Sequence, residues 1–161
     1  MRTAWRICKT RHASNAFDGE GARLNGGRWN STGVRVPYAS ESVALAALEV
    51  LAGVQKTAIL AFYSLTSITF DEACIEVVPA SSLPGNWRNY PASPGTQAIG
   101  DRWVAERRSL VLRVPSAIIE AESNFLINPA HPGFGSVEIS TPVPFELDLG
   151  LLPPHPPNPS Q

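Results

Sequence analysis

The stretch VRVPYASESVALAALEVLAG, residues 34–53, carries the clearest local signals of the fold. Its first five residues, 34–38, predict a short strand because β-branched and aromatic side chains favour that state. Ser40 suits the N-cap of a helix. The apolar residues that follow predict a helix over residues 41–52 that ends at Gly53. Apolar side chains cover nearly its whole circumference, so we expect this helix to be buried on most sides.

Glu49 is the only charged residue between positions 43 and 52 of that helix. It lies one turn after Leu45 and next to Leu48, on an apolar stripe. A carboxylate in such a place loses hydration, and it persists only if it is paired, protonated or directed at a polar cavity. Two interpretations follow: a structural ion pair with an arginine, or a functional carboxylate.

Strands outnumber helices in the rest of the chain. A second helix is predicted over residues 96–106, after a proline-containing loop at 81–95. Few strand pairs have a helix between them, which favours a single α+β domain with a mixed sheet over a doubly wound parallel sheet. Further strands are predicted at residues 57–65, 68–70, 74–78, 109–114, 125–127 and 145–149.

The length of 161 residues is that of one domain. Five of the 15 prolines fall within the last nine residues, so we expect a folded unit over 1–150 and an extended, flexible tail over 151–161. A hydrophobic fraction of 43% is typical of a globular chain. The formal net charge of −1 leaves no basic excess to neutralise a phosphate backbone, which argues against direct nucleic-acid binding.

Other classes are disfavoured by the sequence as well. Two cysteines cannot make a disulfide framework, and no cluster of residues has the spacing of metal ligands. No serine lies in a nucleophile elbow. No apolar run reaches the roughly 18 residues needed to span a bilayer, and no signal core follows Met1. We therefore expect a soluble, cytoplasmic protein without membrane contact, metal or organic cofactor.

A second unusual stretch is GEGARLNGGRWN, residues 19–30. Glycines let the backbone approach a ligand closely, and Arg23 and Arg28 can hold an anion in bidentate geometry. The stretch lacks the third glycine of a dinucleotide fingerprint and the Gly-Lys-Ser/Thr of a Walker loop. From composition alone it is either a glycine-rich turn with surface arginines or an anion-binding loop whose Trp29 lines a pocket.

Six short motifs follow one another along the chain and together resemble one family. They are GEGAR(x)2GGRWN at 19–30, PYAS at 37–40, a helix carrying Leu48-Glu49, TQAIGD at 96–101, VPS at 114–116 and N(x)3NP(x)HP at 124–132. Each motif is weak alone, whereas the ordered set resembles the RES-domain family, named for an Arg, a Glu and a Ser. The match runs from Trp5 to about Leu149.

The resemblance implies a toxin of a bacterial toxin–antitoxin pair. Such a protein would destroy cellular NAD+ by cleaving its nicotinamide–ribose bond, with phosphate or water as the acceptor. Its fold would resemble that of ADP-ribosyltransferases, a split mixed β-sheet with flanking helices around an NAD+ cleft. Its partner would be an Xre-like helix-turn-helix antitoxin that blocks this cleft.

The resemblance also assigns roles to individual residues. The family's arginine, tyrosine and glutamate correspond to Arg28, Tyr38 and Glu49, which become the predicted catalytic residues. Arg6, which follows Trp5, matches a further pocket arginine. The predicted substrate-binding residues are Arg6, Trp29, Asn30, Gln97 and Ser116.

Two points stay open at this stage. Ser116 is the first candidate for the family's serine, and Ser93 and Ser109 remain alternatives. The acceptor is the second point, because an ADP-ribosyltransferase that modifies a macromolecule would use the same cleft. A nucleotide-binding module without catalytic activity is the remaining alternative.

Overall fold

The computed structural model of the protein describes residues 1–53 and 62–146. In these ranges the chain forms eight strands and three α-helices, joined by loops and short 3-10 turns. The strands are β1 (Arg2–Lys9), β2 (Tyr38–Ser40), β3 (Tyr63–Phe70), β4 (Ile75–Val77), β5 (Val111–Pro115), β6 (Ser123–Ile127), β7 (Glu138–Ile139) and β8 (Val143–Phe145). The helices are α1 (Glu20–Asn25), α2 (Val43–Gly53) and α3 (Pro94–Glu106).

The strands build one mixed sheet in the order β4-β5-β6-β2-β1-β3-β7, with β8 also paired to β3. Only β4 and β5 run parallel among the described strands, and the other pairs are antiparallel. β1 and β3 are paired along their full lengths, from Arg2↔Phe70 to Lys9↔Tyr63. β1 and β2 share a single registered pair, Trp5↔Ser40, so the sheet is weakly joined at its centre. This mixed sheet with its helices confirms the α+β prediction.

Apolar packing against the sheet holds α2 and α3 in place. Trp103 of α3 is fully buried with Leu112 and Leu126 from the central strands. Ala46 and Ala47 of α2 pack with Ile7 of β1. Because burial of apolar surface contributes about 25 cal/mol per Å², these contacts fix both helices against the sheet.

The predicted burial of α2 on most sides is wrong. Leu45, Ala46 and Ala47 are buried, but Leu48 is 39% exposed and Ala44 is also exposed. The helix therefore buries one face, and its apolar residues on the other face lie at the surface. Within the described ranges no helix is long and apolar enough to cross a membrane.

The helix also begins two residues later than predicted. Ser42, not Ser40, is the cap, since its Oγ accepts a hydrogen bond of 3.0 Å from the backbone N–H of Leu45. Glu122 accepts a hydrogen bond from the same hydroxyl at 2.6 Å. Ser40 belongs to β2 instead, where its side chain is buried.

Several predicted elements are confirmed to within two residues. These are the helix predicted at 96–106 and the strands predicted at 74–78, 109–114 and 125–127. The strand predicted at 145–149 is shifted toward the N-terminus and described as β8, while residues 147–149 and the tail at 151–161 lie outside the described residues. Most of the strand predicted at 57–65 lies outside them as well.

Three predictions about the first half of the chain are wrong. The strand predicted at 34–38 begins four residues later, as β2, although the Pro37 carbonyl still accepts a hydrogen bond from Ile127 N at 3.1 Å. The stretch at 19–30, predicted to be a glycine-rich turn or loop, contains α1. Strand β1 was not predicted, and β3 is one strand that includes the separate prediction at 68–70.

Candidate functional site

A cleft of about 250 Å³ opens beside the single pair that joins β1 to β2. Polar groups reach it from four elements, β1, β2, α2 and β6. Trp5 and Ile7 supply part of its apolar wall. The polar lining residues are Arg6, Tyr38, Ser40, Glu49 and Asn124.

A larger hollow of about 650 Å³ lies along β4 and β5. It contains none of the residues predicted for the site, and its charged groups, Arg113, Glu120 and Glu122, have opposite signs. We assign the candidate site to the smaller cleft, because the predicted Arg6, Tyr38 and Glu49 converge there.

Glu49 lies on α2 with its carboxylate held by neutral donors. Asn124 Nδ2 donates to Glu49 Oε1 at 2.6 Å, and Ser116 Oγ donates to the same oxygen at 3.3 Å. No ion pair of the described residues includes Glu49. The structural ion pair considered from the sequence is therefore absent from the described part, and the carboxylate lies beside a polar cavity.

The three candidate serines have different surroundings. Ser116 is fully buried, accepts hydrogen bonds from Ile118 N and Ile119 N, and reaches Glu49. Ser93 caps α3 by accepting a hydrogen bond from Gly95 N. Ser109 accepts a hydrogen bond from Trp103 Nε1. Among the three, Ser116 alone is hydrogen-bonded to a cleft residue in the described structure.

Arg6 bridges the gap between the two strands at the cleft. Its Nη1 donates to the Tyr38 carbonyl at 2.7 Å, while its Nε is buried without a partner among the described residues. Burial lowers the pKa of the Arg6 guanidinium, and Cys8 and Asp18 act in the opposite direction. A buried cation without a paired carboxylate has unused capacity to bind an anion.

The Tyr38 hydroxyl is hydrogen-bonded to the loop that carries the glycine-rich motif. It donates to Asn30 Oδ1 at 2.7 Å and accepts from Trp29 N at 3.1 Å. Burial raises the pKa of Tyr38, against the effect of the Trp29 N–H, so the phenol stays protonated at neutral pH. The ring is left to line the cleft, while the hydroxyl holds the loop.

Tyr38→Phe should therefore destabilise the protein. The change leaves Asn30 Oδ1 without its donor and Trp29 N without its acceptor, and each buried unpaired group costs about 1–3 kcal/mol. Urea unfolding should show the loss, with Tyr90→Phe as the control, because Tyr90 is 93% exposed. Equal midpoints for wild type and Tyr38→Phe would contradict this role of the hydroxyl.

Arg28 lies outside the cleft lining in the described structure. Its Nη1 donates to the carbonyls of Trp87 at 2.6 Å and Asn89 at 2.9 Å. It therefore ties the glycine-rich loop to the turn that contains Trp87. Its Nε and Nη2 make no hydrogen bond within residues 1–53 and 62–146, so they remain available to an anion.

Trp29, Asn30 and Gln97 also lie outside the cleft lining, and their assignment as substrate contacts has no geometric support. Trp29 is 2% exposed and packs in the core. Asn30 is fully buried and donates to three backbone carbonyls. Gln97 Nε2 donates to the carbonyls of Gly27 and Asn30. These side chains hold the loop against α3.

The surroundings of Gly27 show why one position of this motif requires glycine. A Cβ at this position would lie 2.8 Å from both Tyr38 Oη and Asn30 Oδ1. The close backbone approach predicted from the glycines thus exists, but it is to the protein's own side chains.

The match to a family model settles the relationship of this chain to known proteins. The model described as the RES domain matches residues 3–148. The chain belongs to the RES-domain family. This confirms the resemblance carried by the six sequence motifs.

Curated relatives of this RES domain are named as toxins. "Toxin Res" of Yersinia enterocolitica serotype O:8 / biotype 1B is 36% identical over 148 residues, which are 91% of this chain and 97% of that protein. "Prs ADP-ribosylating toxin" of Sphingobium sp. strain YBL2 is 38% identical over 133 residues, 80% of this chain and 83% of that protein.

A solved structure shares the fold of this RES domain. It is a chain of the M. tuberculosis MbcT–MbcA toxin–antitoxin complex, with a TM-score of 0.71 and 22% identity. The alignment covers 89% of this chain and 84% of that one. The likeness agrees with the single α+β domain predicted from the sequence.

Two polar residues of the cleft in this RES domain were not singled out from the sequence. Ser40 was interpreted as a helix cap, and Asn124 was noted only as part of a motif. Asn124 lies within the buried strand β6, where a polar side chain needs a partner, and this was the available signal. Among the described residues, no three His, Cys, Asp or Glu side chains form a group that could hold a metal ion.

Proposed function

We propose that this protein is the toxin of a toxin–antitoxin pair and that it consumes NAD+ by cleaving the nicotinamide–ribose bond. The observation that carries the proposal is the Glu49 carboxylate, which lines the cleft and, among the residues that the structure describes, has neutral hydrogen-bond donors and no ion-pair partner. The toxin names of the curated relatives and the RES-domain match support it.

The chemistry of the bond explains why such a carboxylate is useful. Cleavage passes through a state in which the ribose has oxocarbenium character, as in glycoside hydrolysis. Nicotinamide leaves as a neutral molecule, so the reaction does not require a general acid at the leaving group. The reaction instead requires negative charge beside the developing cation. A preorganised carboxylate in a cleft that partly excludes water provides this charge.

Two arginines, one in the cleft lining and one outside it, suit the other half of the substrate. Arg6 Nε has no partner among the described residues, and neither have Nε and Nη2 of Arg28; both arginines are proposed to bind the pyrophosphate or a phosphate acceptor. The ring of Tyr38 is proposed to stack on a base of NAD+. NAD+ is thus the substrate, inorganic phosphate is a possible co-substrate, and no resident cofactor is needed.

The proposed partner is an antitoxin that occupies the cleft. The fold neighbour comes from a toxin–antitoxin complex, which supports a protein partner of this kind. The Xre-like character of the antitoxin follows from the family resemblance, as does a site of action in the cytoplasm. A neighbouring gene for an Xre-like protein is the corresponding genetic expectation.

A second candidate is an ADP-ribosyltransferase that transfers ADP-ribose to a macromolecule. The relative named "Prs ADP-ribosylating toxin", at 38% identity, favours it. The two activities share the cleft and the bond that breaks, and they differ in the acceptor.

An assay with NAD+ labelled in its adenylate half tests both. The purified protein should release nicotinamide and an equal amount of free ADP-ribose or, with added phosphate, ADP-ribose phosphate. Label retained on a macromolecule in a lysate would support the second candidate instead. If no nicotinamide is released under either condition, both candidates are wrong.

A further inference from the structure

Ser40 and Asn124 form a hydrogen-bonded chain that ends on Glu49. Ser40 Oγ donates to Asn124 Oδ1 at 2.9 Å, and Asn124 Nδ2 donates to Glu49 Oε1 at 2.6 Å. Ser40 and Asn124 face each other in the register of β2 and β6. They are 5% and 9% exposed, so the chain is built into the interior of the sheet.

The Glu49 carboxylate and the Ser40 hydroxyl together hold the Asn124 amide in one orientation. An amide can present either its oxygen or its NH2 group to a neighbour. A carboxylate oxygen can only accept, so Nδ2 is turned toward Glu49, and Oδ1 on the other side accepts a hydrogen bond from the Ser40 hydroxyl. The reverse orientation would place Oδ1 against a carboxylate oxygen, with no proton between two acceptors. The sheet therefore presents a fixed donor to the helix.

This arrangement orients the carboxylate without neutralising it. Glu49 is on α2, whereas Asn124 and Ser40 are on strands, so the hydrogen bond fixes one carboxylate oxygen relative to the sheet. An arginine in place of Asn124 would cancel the charge that the oxocarbenium-like state requires. A neutral amide fixes Oε1 and leaves the negative charge and Oε2 to the substrate.

We propose that Asn124 is a positioning residue that presents the Glu49 carboxylate to the ribose of NAD+, and that Ser40 holds its amide in place. The inference deepens the proposed function and rests on it. Asn124 acts through Glu49, so its loss should reduce turnover more than substrate binding.

Asn124→Ala removes the amide donor and tests this role. The kcat for NAD+ consumption should fall about 10–100-fold, the range expected for a misplaced catalytic group. The KM should change less than about threefold, because the interaction matters mainly in the transition state. Ser40→Ala should lower kcat about fivefold, the worth of one neutral hydrogen bond. Ser40→Thr keeps a hydroxyl and should restore most of the lost kcat.

Two buried polar residues outside the cleft provide matched controls. Asn128 Nδ2 donates to the Val104 carbonyl, and Ser64 Oγ bonds Thr10. With rates expressed per folded molecule from near-UV circular dichroism, Asn128→Ala and Ser64→Ala should keep the wild-type kcat.

The outcomes separate this inference from the proposed function. Wild-type kcat in Asn124→Ala, beside an active wild type, would overturn the inference alone. An equal loss in the matched controls would do the same. A wild-type protein that consumes no NAD+ would remove the proposed function and this inference with it. If Asn124→Ala does not fold, the two Ser40 variants, Ser40→Ala and Ser40→Thr, test the positioning role instead. A wild-type kcat in Ser40→Ala would then overturn it.

Discussion

Replacing Glu49 by glutamine should lower the rate of NAD+ consumption about 10²–10³-fold while the fold is kept, a loss typical of removing one preorganised charge-stabilising group. Glutamine has nearly the same shape, and its amide oxygen can still accept the hydrogen bonds from Asn124 and Ser116. What disappears is the negative charge beside the ribose. Because the donors around Glu49 are neutral, the change breaks no ion pair among the described residues.

The measurement is the initial rate of nicotinamide release by purified proteins at saturating NAD+. Glu138→Gln is the matched control, since Glu138 is an exposed residue of β7 without a place in the cleft. It should react at the wild-type rate. In cells, brief induction of wild type should deplete NAD+, and induction of Glu49→Gln should not. A Glu49→Gln protein that consumes NAD+ at the wild-type rate would remove Glu49 from the mechanism.

Glu49 was identifiable from the sequence because one charge on an apolar helix breaks a local pattern. Such a signal needs no knowledge of the fold. Its partners were not identifiable in this way. Asn124 and Ser116 are 75 and 67 positions away from Glu49 in the sequence. They contact Glu49 only once β6 and the segment that follows β5 have folded against α2. Strand register brings Ser40 to Asn124, and register is a property of the assembled sheet.

The errors in the predicted elements have the same physical origin. Residues 34–38 have a good strand pattern, yet the pairing with β6 begins at Tyr38. Arg2–Lys9 mixes polar and apolar residues without a clear period, and it becomes a strand because β3 pairs with all of it. At residues 34–38 tertiary contacts override a local preference for a strand. At Arg2–Lys9 they produce a strand where the local preference is weak.

The glycine-rich motif shows a different limit of sequence interpretation. Its glycines and arginines are compatible with a ligand-binding loop, and the family resemblance supports that use. In the structure, many of the motif's hydrogen bonds are internal or come from α3. Gln97 Nε2 donates to the carbonyls of Gly27 and Asn30, so the TQAIGD and GGRWN motifs are coupled in space. The motifs therefore contain residues that stabilise the fold as well as candidates for the site.

The contact between α3 and this loop leads to the largest expected effect on stability, that of Gly100→Ala. A Cβ at Gly100 would lie 1.7 Å from the Trp29 carbonyl oxygen and 2.9 Å from its carbon. Both are backbone atoms of a buried residue, so neither can move aside as a flexible side chain can. We expect a loss of at least about 3 kcal/mol, at the upper end of overpacking effects. The melting temperature should fall by about 10 °C.

Gly21→Ala is the control that separates this clash from the general effect of replacing a helical glycine. Gly21 lies in α1, and apart from its chain neighbours and the nearby backbone of its own helix, no atom of the described residues lies within 4 Å of the position a Cβ would take. Alanine there should stabilise by up to about 1 kcal/mol, because it restricts the unfolded chain. Opposite signs for the two variants would show that α3 and the Trp29 backbone are in direct contact. A Gly100→Ala protein as stable as wild type would mean that α3 lies farther from the loop than described, and Gln97 and Asp101 would then lose their partners there as well.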